Sequence, residues 1–189
     1  MEIFVTRHGQ TSWNVLGKLQ GKTDIELNDD GRGQAREARE LIKDKKIDLI
    51  ITSPLKRAKE TAQIINENFN VDILEDERLM ERGYGFCEGM TKEDRQKLKE
   101  INPEINYIWS YNKNIEFQDV ESMKDFCIRI YSFLNEIKEK YKDKNILLVT
   151  HGGTSVPIKF YFMNYSLEKL DENNEIKGLK NCEIISFKI

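Results

Sequence analysis

The chain alternates short apolar runs with stretches in which apolar residues return every three or four positions. Ile3–Phe4–Val5 predicts a buried strand over Glu2–Arg7, and the apolar runs of Ile47–Thr52 and Asn145–Thr150 predict two more. Val71–Leu74 reads as a short strand and Cys182–Lys188 as a closing one. Between them the spacing turns helical. Gly31–Asp44 carries Ala35, Ala38, Leu41 and Ile42 on one side. Pro54–Phe69 follows, with Pro54 suited to a first turn because its missing N–H is unbonded there anyway. Ser122–Tyr141 is the longest helix, opened by Ser122 with Asp125 three residues on, a capping-box-like pair. Gly153–Met163 is the last helix. Two segments break the alternation. Gly9–Asp30 has no clear period, and Asp76–Glu121 has only one short helix near Lys92–Ile101. Long irregular segments inside a compact domain are usually functional or mobile.

Strands separated by helices of this length predict an α/β fold. It is a three-layer α/β/α arrangement with a largely parallel central sheet, helices on both faces, and a small insertion over the site. No repeat, low-complexity tract or linker divides the chain, so residues 1–189 read as one domain with an irregular insertion at about 76–121. In such sheets ligands bind outside the carboxyl ends of the strands. That rule selects Thr6–Arg7–His8–Gly9, Thr52–Ser53–Pro54 and Thr150–His151–Gly152–Gly153.

Composition narrows the chemistry. No apolar run approaches the ~20 residues of a membrane span. Met1–Val5 has no basic flank before an apolar stretch, which reads against a signal peptide. Three scattered cysteines, Cys87, Cys127 and Cys182, argue against a disulfide framework and for the reducing cytoplasm. A net charge of -3 gives no reason to expect a nucleic acid or an anionic membrane as partner. The only histidines are His8 and His151, which excludes a zinc site built on three or four histidines, and cysteine spacing does not supply one either. No metal and no cofactor is expected.

Both histidines fall at strand ends. His8, beside Arg7 and before Gly9, reads as an imidazole nucleophile with a guanidinium for an oxyanion, or as a packed histidine beside a surface arginine. His151 reads as its partner in one site, or as a satisfied strand-end histidine. Arg57 falls in the first turn of a helix that follows a strand, where free N–H groups and bidentate guanidinium contacts favour phosphate. Standing alone, it would be a solvated helix arginine. Glu81 lies in a loop shaped by Gly83, Gly85 and Gly89. A carboxyl there can serve as general acid when burial or nearby anions hold its proton, although a lone loop Glu is usually solvated. Gly21–Lys22–Thr23 imitates the end of a phosphate-binding P-loop, but Leu16 stands where the first glycine is needed.

Taken together these motifs resemble the histidine phosphatase superfamily, which includes the cofactor-dependent phosphoglycerate mutases. The run Thr6–Arg7–His8–Gly9–Gln10–Thr11–Ser12–Trp13–Asn14 resembles its opening signature. The match continues through Leu19–Asp24, Gly31–Ala35, Ser53–Ala58 with Thr61–Ala62, and Arg78–Leu79 with Glu81, Gly85, Glu88 and Gly89. It ends in Glu121–Ser122 with Arg129 and in Thr150–Gly153. The blocks keep the family's order over nearly the whole chain. The resemblance implies His8 as phosphoryl acceptor, Arg7, Arg57 and His151 as the cluster on its oxygens, and Glu81 as general acid/base. It implies Asn14, Gln20, Gly21, Arg82 and Gly152 as further pocket contacts, and chemistry without a metal.

Within the family the expected activity is hydrolysis of a small phosphate ester through a phosphohistidine. The alternatives are phosphoglycerate mutase-type transfer and a non-catalytic phosphate-binding module. Glu81–Arg82, Tyr84–Gly85 and Lys92 resemble mutases. Mutases, however, carry a Trp–Arg–Arg segment where this chain reads Trp109–Ser110–Tyr111, and they are usually longer. Candidate substrates are sugar phosphates, glycerate-like phosphoacids and nucleotide-derived phosphates such as a ribazole phosphate. Tyr107, Trp109 and Tyr111, within Ile105–Phe117, either line the pocket or pack the insertion onto the core. Cys87 is an oxidation-sensitive thiol or an inert loop cysteine. Oligomeric state is not read from this sequence.

Overall fold

The computed structural model describes residues 1–113, 117, 119–172 and 175–189. Five strands form one sheet in the order β3-β2-β4-β1-β5: β1 Glu2–Arg7, β2 Leu49–Thr52, β3 Ile73–Glu75, β4 Ile146–Thr150 and β5 Ile184–Lys188. All neighbours run parallel except β5, which is antiparallel to β1. The expected architecture is therefore present, with one antiparallel edge.

Period-two alternation along the strands divides the core. Ile3, Val5, Leu49, Ile51, Ile146 and Leu148 face α5 (Met123–Lys140) and α6 (Gly152–Phe162) through Phe126, Ile130, Phe133, Leu134 and Ile158. Phe4, Ile50, Leu147 and Val149 face α2 (Asp29–Leu41) and α3 (Lys56–Asn66) through Ala35, Ala38, Ala58, Ala62 and Ile65. Alanines on that side let α2 and α3 lie close to the sheet. A third, smaller cluster of Tyr84, Cys87, Ile105 and Ile108 belongs to the insertion, which holds α4 (Lys92–Ile101) and a 3-10 turn at Pro103–Trp109. A four-residue helix α1 (Ser12–Val15), capped by Thr11, interrupts the first irregular segment. No helix among the described residues is long and apolar enough to cross a membrane.

Several boundaries moved for local reasons. Pro54 lies before the helix it was expected to open: Leu55 is the N-cap and offers no side-chain acceptor. The free N–H of Lys56 is taken instead by Asp24 Oδ1 at 2.8 Å, and that of Leu55 by Ser53 Oγ. Helix α2 starts earlier, at Asp29, because Asn28 Oδ1 caps Gly31 N–H. Strand β3 starts at Ile73, since the Asn66 amide bonds both the N–H and the C=O of Val71 and withholds them from the ladder. Ser122 caps α5 as expected, accepting from Asp125 N–H, but its hydroxyl also donates to Asp125 Oδ2. Cys182 has φ of 55°, which delays β5 to Ile184.

Candidate active site

Strands β1 and β4 are neighbours in register, so the residues that leave their carboxyl ends emerge side by side. His8 N–H donates to Thr150 O at 2.9 Å, and Ser53 N–H, leaving β2, donates to Val149 O at 3.0 Å. The His8 and His151 rings consequently lie 5.2 Å apart, tilted by 58°. The turn after His8 is tight against α2: a Cβ on Gly9 would run into the Gly31 carbonyl. Gly9 N–H is in turn anchored on Thr61 Oγ1 at 3.0 Å.

His8 is 2% exposed, and its Nδ1 stands 2.7 Å from Gly9 O. A carbonyl only accepts, so Nδ1 carries the proton and Nε2 keeps its lone pair. Burial holds the His8 imidazole well below the ordinary histidine range, and the positive charges of Arg57 and Arg7 push it further down. It is a neutral nitrogen base at neutral pH.

The two guanidiniums are fixed by backbone carbonyls. Arg57 is fully buried, with Nη1 on Thr23 O at 2.8 Å and Nη2 on Gly21 O at 2.7 Å. Burial lowers it to about 10, which leaves it charged. Arg7 donates from Nη1 to Leu179 O at 3.2 Å. Burial lowers it too, against the opposing pull of Glu81. Both Nε–H groups are buried without a hydrogen-bond partner. Arg7 and Arg57 wall one cavity, where a bound oxyanion would meet their fixed positive charge.

Glu81 is held at the N-terminus of α6. Its Oε2 accepts from Gly153 N–H at 2.8 Å and its Oε1 from Arg82 N–H at 2.9 Å. A Cβ on Gly153 would collide with the carboxylate, so only glycine admits this approach. Arg129 fixes the backbone before it, a 3-10 turn at Glu77–Leu79 and the irregular chain that follows, donating to the carbonyls of Arg78, Met80 and Glu81 while paired with Glu121 at 2.5 Å.

Arg7, His8, Asn14, Gln20, Gly21, Arg57, Glu81 and Gly152 meet on one cavity of about 210 Å³. Asn14 presents its amide there while its Oδ1 is occupied by Thr11. His151 does not wall this cavity. It stands behind His8, fully buried, with Nε2 on Ser53 Oγ at 2.8 Å and Nδ1 buried without a partner. Burial, Arg57 and His8 hold its imidazole well below the ordinary range.

Arg82 is a correction. Its guanidinium turns into the insertion, donating from Nε to Glu121 O at 2.7 Å and from Nη2 to Ile108 O at 2.6 Å, and it does not reach the cavity. The two carbonyls take Nε and Nη2, while Nη1 is buried without a hydrogen-bond partner, and through these two bonds Arg82 staples the insertion together. Tyr107, Trp109 and Tyr111 do not wall the cavity either; Trp109 packs on the insertion cluster and Tyr111 on the α5 side. Positions 114–116 of that segment lie outside the described residues.

Sequence reasoning passed over Lys18, Leu19 and Gly153 as cavity walls, and four residues that set the geometry. Ser53 and Thr61 brace the two strand ends. Asn181 Nδ2 donates to His8 O at 2.9 Å. The Glu88 carboxylate accepts from the N–H groups of Lys22, Thr23 and Tyr84 and from the Thr23 hydroxyl, tying down the loop whose carbonyls hold Arg57. Ser53, Thr61 and Glu88 stand in the blocks that resemble the family, but nothing local to any of the four marks the distant group it holds. The one available hint is that Ser53 follows a strand directly.

Known proteins share this arrangement of chain. The profile of the histidine phosphatase superfamily (branch 1) matches residues 3–189. A Bacillus subtilis (strain 168) protein named "Uncharacterized phosphatase PhoE" is 42% identical over 151 residues, covering 80% of this chain and 72% of that protein. Phosphoglycerate mutase-like protein 4 of Arabidopsis thaliana is 41% identical over 160 residues, covering 80% of this chain and 66% of that protein. Among solved structures, Bacillus stearothermophilus YhfR superposes with a TM-score of 0.87 at 26% identity, covering 100% of this chain and 91% of that one.

Proposed function

The chain belongs to the histidine phosphatase superfamily, and from that premise we propose that it hydrolyses a small phosphomonoester through a phosphohistidine on His8, without a metal. The observation that carries this reading is the His8 tautomer. With Nδ1–H tied to Gly9 O, the free Nε2 lone pair stands on a cavity it shares with the two buried guanidiniums.

The steps follow from the geometry. Substrate phosphoryl oxygens take the N–H groups of Arg7 and Arg57, which are preorganised by backbone carbonyls and need no rearrangement. His8 Nε2 attacks phosphorus in line as the bond to the leaving oxygen breaks. Charge growing on the transferred oxygens is met by fixed guanidinium charge in place of a cation cofactor. Glu81 relays a proton, brought in on the phosphomonoester monoanion, to the leaving alkoxide. Water then attacks the phosphohistidine, Glu81 takes a proton back from it, and inorganic phosphate departs. His151, held by Ser53, keeps its ring beside that of His8.

Hydrolysis is favoured over mutase transfer by the fate of Trp109–Ser110–Tyr111. Ser110 Oγ and the N–H groups of Tyr111 and Asn112 bind Asp171, and none of these residues walls the cavity. The three cysteines are free and buried, which suits the cytoplasm.

Rapid quench with a radiolabelled phosphate ester tests the reading. The expected product is a base-stable, acid-labile phosphoenzyme, absent from His8→Ala, whose turnover falls on the order of 10⁴-fold or more. Chelation by EDTA should leave the wild-type rate unchanged. Label on another residue, or collapse of the rate in chelator, overturns the proposal.

A further inference from the structure

A second cavity, of about 240 Å³, opens beside the catalytic one and is walled by Leu19, Lys92, Arg95, Gln96, Lys99 and Trp109. Leu19 walls both spaces, so the two lie side by side. Nothing in the mechanism above uses this second space.

Its chemistry is one-sided. Lys92, Arg95, Gln96 and Lys99 stand at i, i+3, i+4 and i+7 along α4 and therefore share one helix face. Of the acidic residues of the same helix, Glu93 and Asp94 stand off that face and Glu100 borders it one turn beyond Gln96, and none walls the cavity. Arg95 is braced by one bond, Nη1 to Met90 O at 2.8 Å. Lys99 Nζ lies 4.9 Å from the Trp109 ring centroid. Among the described residues, Lys92, Arg95 and Lys99 form no ion pair with a carboxylate. A cleft lined by one sign of charge over an apolar wall concentrates ions of the other sign. This happens in a chain whose net charge is negative.

We propose that this cavity receives a second anionic group, a phosphate or a carboxylate, carried at the far end of the substrate's leaving group. The proposal rests on the hydrolase reading and names its substrate class. A leaving group long enough to pass Leu19 brings its far end to Arg95 and Lys99. The substrate is therefore a phosphomonoester with a distal anion.

Three matched probes test this: n-hexyl phosphate, the same ester ending in a carboxylate, and the same chain ending in a second phosphate, corrected for its two equivalent esters. A charged tail should raise kcat/KM over n-hexyl phosphate at least about tenfold, the worth of one hydrogen bond to a charged group. The tail with the larger gain identifies which anion the cavity prefers. In Arg95→Gln/Lys99→Gln the ratio should fall to near one. Since Arg95 also braces Met90 O, Lys99→Gln alone serves as the milder variant and should cut the ratio about threefold. A wild-type ratio near one, or a ratio that survives both variants, overturns the subsite while leaving the hydrolase reading intact. A wild type inert toward all three probes and toward p-nitrophenyl phosphate overturns the hydrolase reading, and the subsite with it.

Discussion

Each histidine of this chain is buried neutral, and that makes a residue-scale statement about stability as well as catalysis. His8 and His151 are both held well below the ordinary histidine value, chiefly by burial and then by nearby arginines. In the unfolded chain both would titrate near 6.5. Below that pH the unfolded state binds protons that the folded state refuses, so stability falls as pH falls, by up to about 1.4 kcal/mol per pH unit for each histidine. Above 6.5 the contribution is constant. Urea midpoints should therefore decline between pH 6.5 and pH 5.5, a window above most carboxylate titration, and the decline should flatten in His8→Asn/His151→Asn. An equal slope in that double variant would show that other groups carry it. At this scale His8, Arg7 and Arg57 were legible, because a strand end and a helix start are recognisable places for such side chains. Ser53, Thr61 and Asn181 were not, because a single hydroxyl or amide that braces a backbone group far away in sequence leaves no local pattern.

Elements place the carboxylate as strictly as residues place the imidazole. Glu81 comes from an irregular loop, yet its position is dictated by the first turn of α6, where Gly153 N–H meets Oε2. In Gly153→Ala the helix itself gains, since alanine is the better helix former by roughly 1 kcal/mol. The added methyl would nevertheless displace the carboxylate. Turnover of alkyl phosphates should drop about 10²-fold, the lower range for a lost general acid. Turnover of p-nitrophenyl phosphate, whose leaving group needs little protonation, should drop much less, with thermal stability retained. An equal loss on both substrates would mean that the methyl disturbs phosphoryl binding through neighbouring Gly152 and Arg7. The helix α6 and the strand before it were readable from apolar runs and glycines. The ends of β3 and α3 were not, because Asn66 and Asp24 settle them by side-chain bonds to distant backbone. The insertion was readable only as a departure from rhythm, its small core being assembled from Tyr84, Cys87, Ile105 and Ile108, which no period joins.

At the scale of the whole molecule, the cavity is a product of sheet order. Strand β4 lies between β2 and β1, so the loops that follow the three strands, at Ser53, His151 and His8, are forced together. The insertion then brings Glu81 against α6 from the side. The apolar strand runs made this convergence foreseeable without a structure, because a parallel sheet collects its loops at one edge. The same convergence concentrates buried charge: two guanidiniums and no metal-ligand cluster among the described residues. The two like charges oppose each other across the site. An oxyanion bound there should thus stabilise the entire fold, because its ligands come from loops after β1 and β2 that cannot separate without unfolding. For inorganic phosphate at about 100 times its dissociation constant the gain should be about 2.7 kcal/mol. For a chain of this size that is a rise in Tm of several degrees. Arg57→Ala should abolish the rise at the same phosphate concentration. Lys140→Ala, exposed on α5 and outside the cavity, should keep it. A rise of equal size in Arg57→Ala would place the anion elsewhere on the surface and remove the guanidinium pair from the binding role assigned to it.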